Sequence, residues 1–182
     1  MKSFFSFFWE TAKIVIIALL IVVPVRYFLF QPFFVKGQSM EPNFENGDYL
    51  IIDEITYRFK QPERGEVIVF KFPQNTSQRY IKRIIGLPSE TVEIKDGQVL
   101  ISRDDHPPKI LDESNYLSSY IQTAGNLKIF LGEEEYFVLG DNRSVSSDSR
   151  RWGVVPKSDI IGRVYFRAWP IDNAAKIELP NY

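Results

Sequence analysis

An unbroken apolar run near the amino terminus constrains the fold more than any other feature of this sequence. No side chain from Ile14 to Val25 is polar, and apolar residues resume after Arg26. Crossing a bilayer takes about 20 mostly apolar residues, and Arg26 can extend its charged head toward the headgroups. We therefore predict one transmembrane helix at roughly residues 10–30, within an N-terminal membrane anchor of residues 1–35.

A cleaved secretory leader is the alternative interpretation of the same segment, because Lys2 and Lys13 precede the apolar run. The stretch where a small-residue cleavage site would be expected holds bulky side chains instead: Phe28, Phe30, Phe33 and Phe34. An uncleaved anchor is therefore favoured. Its orientation does not follow from charge, since Lys2 and Lys13 are matched by Arg26 and Lys36 on the other side.

The remainder of the chain has the pattern of a β protein. Short runs of β-branched and aromatic residues alternate with Gly, Pro and Asp, and no long helical period follows residue 35. The predicted strands are 49–52, 66–72, 79–85, 91–94, 98–102, 136–139 and 161–167. We predict a mainly β, antiparallel domain over residues 36–182, with a small loop-rich subdomain inserted at about residues 96–132.

Composition removes several chemistries. The chain has no Cys, which excludes cysteine nucleophiles and Cys-ligated zinc. Its single histidine, His106, rules out a multi-histidine metal site within one chain. The 22 Lys and Arg residues nearly balance 23 Asp and Glu residues, so no overall basic field favours nucleic acid. We expect no metal, no cofactor and no nucleic-acid partner.

A serine nucleophile activated by a lysine needs neither Cys nor His. A Ser-His-Asp triad would have to use His106, whose neighbours Pro107 and Pro108 indicate an exposed turn. Lys82 lies in a predicted strand with apolar neighbours, and desolvation there would lower its pKa and free it to act as a base. Ser39 follows Gly37 in a loop. Taken alone, a strand lysine such as Lys82 is more often a surface residue. A loop serine such as Ser39 is more often a turn former.

Five separated segments change this assessment when they are taken together and in order. They are GQSMEP at 37–42, NGDYL at 46–50, RGEVIVF at 64–70, YIKRIIGLP at 80–88 and GDNRSVSSDSRRWG at 140–153. With the preceding anchor, this order resembles the bacterial type I signal peptidases. The short chain and the single predicted span resemble the Gram-positive branch of that family.

The resemblance implies a role for each matching residue. Ser39 matches the nucleophile, Lys82 the general base, and Ser146 a hydroxyl that hydrogen-bonds the lysine and orients it. Four charged residues match ion pairs that brace the site without taking part in the chemistry: Arg83, Asp141, Asp148 and Arg150.

Three departures from the family pattern concern local turns. Gly37 stands where Gram-negative members have a serine that contributes to the oxyanion hole, so the backbone N–H of Ser39 is expected to carry more of that task. Asn43 replaces a frequent threonine after Pro42. Ser89 and Glu90 replace the usual Gly-Asp pair.

The function implied by the resemblance is that of a membrane-bound serine endopeptidase. It would cleave signal peptides from exported preproteins with a Ser-Lys dyad, and its partners would be those signal peptides and the lipid bilayer. The resemblance also implies a single-pass protein of the cell membrane with its catalytic domain on the extracytoplasmic face. Two alternatives remain: a noncatalytic, signal-peptidase-like chaperone of pilus assembly, and a self-cleaving repressor, which would need a DNA-binding segment where this chain has its apolar run.

Overall fold

The computed structural model describes residues 2–28, 30–104 and 106–180, and the side chains of residues 2–6, 21–28 and 30 are outside that description. Helix α1 covers Lys2–Phe28, and the short helix α2 covers Ser149–Trp152. Across the described residues, no helix meets the combined length and apolarity that a membrane crossing requires. The predicted span at residues 10–30 includes Leu29, which lies outside the described residues.

The rest of the described chain contains twelve strands. They are β1 Phe30–Phe34, β2 Tyr49–Asp53, β3 Val67–Phe72, β4 Asn75–Gly86, β5 Glu90–Lys95, β6 Gln98–Arg103, β7 Lys109–Ile110, β8 Leu127–Phe130, β9 Glu135–Leu139, β10 Val155–Pro156, β11 Ile160–Trp169 and β12 Ala175–Lys176. Three single turns of 3-10 helix cover Thr56–Arg58, Lys157–Asp159 and Ile171–Asn173.

These strands form two antiparallel sheets. The larger has the order β1-β2-β11-β3-β4-β9-β10, with β12 paired to β11. The smaller has the order β7-β6-β5-β8. Each strand expected from the sequence overlaps an observed one, namely β2, β3, β4, β5, β6, β9 or β11. The mainly β, antiparallel architecture predicted from the sequence is thus the one observed.

Strand β1 differs from the sequence prediction, which placed residues 1–35 in the anchor. Residues 30–34 instead pair with β2, with Phe34 opposite Tyr49 and Phe33 opposite Leu50. The apolar side chains of this segment suit a membrane anchor. They also suit a strand, since Phe33 packs against the core from the sheet. Pro32 is tolerated in β1 because this strand lies at the sheet edge.

The inserted segment is also more regular than expected. Strands β6, β7 and β8 fall within residues 96–132, and their sheet includes β5, which begins earlier at Glu90. A core cluster that includes Ile85, Val92 and Phe137 joins the small sheet to the large one. The sheets therefore share buried packing rather than being connected only by loops.

Two further core clusters hold the elements around the site. Met40 is fully buried with Phe44 and Ile81, which fixes the loop that precedes β2 against strand β4. Ile68, Ile84 and Val138 form the other cluster between β3, β4 and β9. Burying an aliphatic side chain stabilises the fold by about 1.5–3 kcal/mol, so Ser39 and Lys82 are attached to well-anchored elements.

Candidate active site

Ser39 and Lys82 meet although 42 residues of chain separate them. Lys82 Nζ lies 2.7 Å from Ser39 Oγ and also donates to the backbone carbonyl of Ile81 at 2.7 Å. The lysine is on β4 and is only 3% exposed, whereas Ser39 is half-buried in the loop before β2. The structure therefore brings together the nucleophile and the base expected from the sequence.

The environment of Lys82 favours its neutral form. Burial lowers the pKa of Lys82 from its ordinary value of 10.5 to about 8, while the carboxylates of Asp148 and Asp141 partly oppose that shift. Desolvation penalises an ammonium group because the protein interior solvates charge poorly. A lysine with this pKa supplies a useful fraction of free amine near neutral pH, which is what a general base requires.

A groove of about 640 Å³ opens over the pair. Its lining is partly apolar and partly cationic, and comprises Phe33, Phe34, Lys36, Gln38, Ser39, Arg79, Tyr80, Ile81, Lys82, Val145 and Ser147. The groove runs between the Ser39 loop, strand β4 and the loop that follows β9. Its volume lies within the range of about 300–1,000 Å³ that is typical of ligand-binding clefts.

Arg83 and Asp141 form a two-point ion pair behind the groove. Arg83 Nε lies 2.8 Å from Asp141 Oδ1, and an Arg83 terminal nitrogen lies 2.6 Å from Oδ2. The same guanidinium donates to the Gly65 carbonyl at 2.9 Å. Parallel arginine–carboxylate bonds fix relative orientation as well as distance, so this pair holds the loop after β9 against β4.

Asp148 and Arg150 form the second ion pair. Arg150 donates through Nε at 2.8 Å and through a terminal nitrogen at 2.9 Å. Asp148 also accepts from the backbone N–H of Gly140 at 3.1 Å and caps the start of α2. The fully buried carboxylate therefore joins both ends of the 140–148 loop.

Ser146 does not make the hydrogen bond that the resemblance implied. Its Oγ is buried and has no hydrogen-bond partner among the described residues. It nevertheless lies near Ser39: a Cβ added to Gly140 would be 2.1 Å from Ser146 Oγ and 2.4 Å from the Ser39 carbonyl oxygen. Ser146 thus packs beside the Ser39 backbone.

Several buried contacts at the site had no counterpart in the sequence analysis. Asn43 donates to Asp141 Oδ2 at 2.9 Å and to the Tyr116 carbonyl at 2.8 Å. Arg143, part of the matched 140–153 segment but assigned no role there, binds Glu113 through two nitrogens. Asn43 was noticed only as a departure from the family pattern. Glu113 lies in a polar segment where periodicity predicts no contact.

His106 lies away from this arrangement. It is exposed, and its Nδ1 is 3.2 Å from the Arg103 carbonyl oxygen. It does not line the groove that contains Ser39. Over the described residues, no group of three or more His, Cys, Asp or Glu side chains is arranged to hold a metal ion.

Comparison with known proteins identifies the family. The sequence model described as signal peptidase, peptidase S26, matches residues 8–169. The probable signal peptidase I-2 of Synechocystis sp. is 36% identical over 167 residues, which cover 89% of this chain and 73% of the relative. Signal peptidase IB of Staphylococcus aureus is 32% identical over 165 residues, which cover 85% of each chain.

A signal peptidase I crystal structure from Enterococcus faecalis shares 33% sequence identity, covers 58% of this chain and 97% of that chain, and superposes with a TM-score of 0.48. The family match at residues 8–169 includes both Ser39 and Lys82. Because that match extends over most of the sequence, the chain belongs to the signal peptidase family of peptidases, S26.

Proposed function

We propose that this protein is a membrane-bound serine endopeptidase that removes N-terminal signal peptides from exported preproteins with a Ser39–Lys82 dyad. The observation that carries the proposal is the 2.7 Å contact between Lys82 Nζ and Ser39 Oγ. The lowered pKa of Lys82, about 8, supports its role as the base. Family membership supports the substrate class, since the relatives are named signal peptidases.

In the first half of the reaction, the neutral amine of Lys82 accepts the hydroxyl proton of Ser39 as Oγ attacks the scissile carbonyl carbon. The resulting ammonium then gives that proton to the departing amine as the C–N bond breaks, leaving an ester on Ser39. In the second half, Lys82 takes a proton from the water that attacks the ester carbon, and returns it to Ser39 Oγ as the ester C–O bond breaks and the signal peptide leaves. The amine is both acceptor and donor, so no other titrating group is required.

The negative charge that develops on the carbonyl oxygen needs hydrogen-bond donors. Gly37 has no side-chain donor, so we assign this role chiefly to the backbone N–H of Ser39. The rigidity of the Ser39 loop supports that assignment, because Met40 beside it is fully buried and Phe44 donates its backbone N–H to the Met40 carbonyl at 2.9 Å. A preorganised donor is worth more than one that must reorganise during the reaction.

We propose that the substrate lies extended along the groove and adds as a strand beside the site. Shallow apolar pockets in the groove would admit small substrate side chains at the first and third positions before the scissile bond. Ile81 and Val145 supply apolar surface there, and Tyr80 closes part of the wall.

The ion pairs and Ser146 have supporting roles in this proposal. Arg83 with Asp141 and Arg150 with Asp148 hold the 140–148 loop in place. Ser146 would support the site by packing beside the Ser39 backbone, since its buried hydroxyl has no hydrogen-bond partner among the described residues. None of the five side chains takes a bond-making part in the reaction.

We further propose that α1 anchors the protein in the cell membrane, as a single pass, with residues 36–182 forming an extracytoplasmic catalytic domain. Apolar side chains along the described part of α1 are exposed, including Phe7 at 72%, Ile14 at 68% and Leu20 at 69%. Exposed apolar surface of this extent marks an interaction with another apolar phase. The chain enters β1 two residues after α1 ends, which would keep the site close to the bilayer.

Cleavage of a synthetic signal-sequence peptide by the purified full chain in detergent tests the proposal. The parent should release one defined pair of products, and Ser39→Ala and Lys82→Ala should each remove that activity while keeping the parent's circular dichroism spectrum. Binding of the peptide without turnover by the parent would support the noncatalytic chaperone instead. Unchanged turnover by either variant would overturn the dyad.

A further inference from the structure

A buried arginine connects the active-site loop to the inserted segment between β7 and β8. The Arg143 side chain is 1% exposed, and its terminal nitrogens lie 2.9 and 2.5 Å from the two carboxylate oxygens of Glu113. One of these nitrogens also contacts the hydroxyl of Thr123, itself buried. Glu113 and Thr123 thus contact a cation that is almost completely buried.

The inserted segment is itself fixed at this point. The Tyr116 hydroxyl donates to a Glu113 carboxylate oxygen at 2.6 Å, and the Thr123 N–H donates to the Gly97 carbonyl at 2.8 Å. A second arginine of the active-site loop also reaches this segment, since Arg150 donates to the Ala124 carbonyl at 3.2 Å and to the Arg143 carbonyl at 2.8 Å. Two arginine side chains therefore join the loop to residues 113–124.

From Arg143 the connection continues to the nucleophile. Arg143 Nε donates to the carbonyl of Gly140 at 3.0 Å, and the Asn142 N–H donates to the carbonyl of Ser39 at 3.1 Å. The loop that Arg143 holds is therefore the loop that hydrogen-bonds the Ser39 backbone. Glu113 and Thr123 touch neither the groove nor the reacting atoms.

We propose that Glu113 and Thr123 are positioning residues for catalysis at Ser39, acting through Arg143; this inference rests on the proposed function. An arginine charge buried without a partner is strongly unfavourable, so loss of Glu113 should draw Arg143 and its loop toward water. A displacement of about 1 Å at a reacting group can cost about 10²-fold in rate. Substrate binding depends on the groove walls and should change far less.

Steady-state cleavage of a signal-sequence peptide by the full chain in detergent tests this inference. Glu113→Gln should lower kcat by about 10- to 100-fold while KM stays within about twofold, because geometry at the nucleophile changes and the groove does not. Thr123→Val, which keeps the side-chain shape and removes the hydroxyl, should lower kcat by a smaller factor. Glu113→Asp should recover part of the loss.

Glu93→Gln is the matched control. Glu93 lies in the small sheet and pairs with Lys128 at 3.4 Å across β5 and β8, and among the described residues it has no hydrogen bond or ion pair to the active-site loop. It should keep the parent's kcat. Melting temperatures should be recorded for all variants, and kcat compared well below each transition, so that unfolding does not contribute.

The parent's activity separates the two hypotheses. A parent that cleaves, with Glu113→Gln and Thr123→Val both at parental kcat, would overturn the positioning role and leave the proposed function intact. A raised KM at unchanged kcat would also overturn it. If Glu113→Gln fails to fold, parental kcat in Thr123→Val alone decides against the inference, and a selective loss of kcat there supports it. A parent without peptidase activity would remove the proposed function and this inference together.

Discussion

Gly140 and Ser146 approach so closely that residue 140 has no room for a side chain. A Cβ on Gly140 would lie 2.1 Å from Ser146 Oγ and 2.6 Å from Ser146 Cβ. It would also lie 2.4 Å from the carbonyl oxygen of Ser39, a backbone atom that cannot move without moving the rest of Ser39. Gly140, which directly follows β9, therefore sets how closely the active-site loop can approach Ser39.

Gly140→Ala should consequently lose about 10²-fold or more in kcat, since the added methyl group must displace either Ser146 or the Ser39 backbone. Peptide cleavage assays on the purified variant measure this effect. Gly132→Ala is the control, because its Cβ would meet only the flexible Glu135 side chain, at 3.2 Å or more. Parental activity in Gly140→Ala would mean that the loop's approach to Ser39 does not matter for catalysis.

The rate should depend on pH through Lys82. With its pKa lowered to about 8 by burial, kcat/KM should rise about tenfold per pH unit below that value and level off above it, because only the neutral amine accepts the Ser39 proton. Initial rates between pH 5 and 10 give the profile, with a fixed ionic strength as the control condition. A profile that is flat across this range, or that rises only above about pH 10, contradicts a buried lysine base.

The free energy of unfolding should also depend on pH through Lys82. The pKa of Lys82 is about 8 in the fold against an ordinary 10.5, so between these values the unfolded chain binds the extra proton and stability rises with pH. Lys82→Met removes the buried charge and should be more stable than the parent below pH 8, by up to about 3 kcal/mol. That difference should shrink between pH 8 and 10.5.

Urea unfolding of both proteins over this pH range measures the difference. Lys71→Met, which removes an exposed lysine from the adjacent strand β3, is the matched control. A variant less stable than the parent at pH 7 would show that the Lys82 ammonium is well solvated or well paired in the fold.

Ser146→Ala separates a catalytic contribution from a structural one. Its Oγ has no partner among the described residues, so the substitution should not lower the melting temperature. We expect kcat to fall more than KM rises, because the substitution removes an atom that packs beside the Ser39 backbone. Ser149→Ala is the contrasting control: Ser149 Oγ accepts from the Val138 N–H at 3.0 Å, and its loss should lower stability. Equal activity of Ser146→Ala and parent at every pH would remove Ser146 from the site.

The sequence predicted the elements that depend on local patterns. Short runs of β-branched and aromatic residues located β3 and β4, and an ordered set of motifs joined Ser39 to Lys82 before any distance was known. Strand β1 was missed because an apolar run is compatible with both a membrane helix and a sheet edge. Strands β7, β10 and β12 have two residues each, too few to show a period.

Contacts that depend on tertiary packing could not be predicted from the sequence. Glu113 and Arg143 are 30 positions apart, and Glu113 lies in a polar segment with no alternation, so no local pattern joins them. The partner of Ser146 was also inferred from the resemblance rather than from geometry, and the structure leaves that hydroxyl unpaired among the described residues. Side-chain direction within a loop depends on packing that sequence periodicity does not encode.

Trapping the covalent intermediate tests the dyad most directly. The parent and Lys82→Met should each be mixed with a signal-sequence peptide ester, quenched with acid within the first turnover, digested and mapped by mass spectrometry. The proposed mechanism predicts an acyl group on Ser39 Oγ in the parent and a strongly reduced amount in Lys82→Met. The mechanism would be contradicted if the parent turned over the ester and carried the acyl group on another residue. It would also be contradicted if Ser39 were acylated equally in the parent and in Lys82→Met.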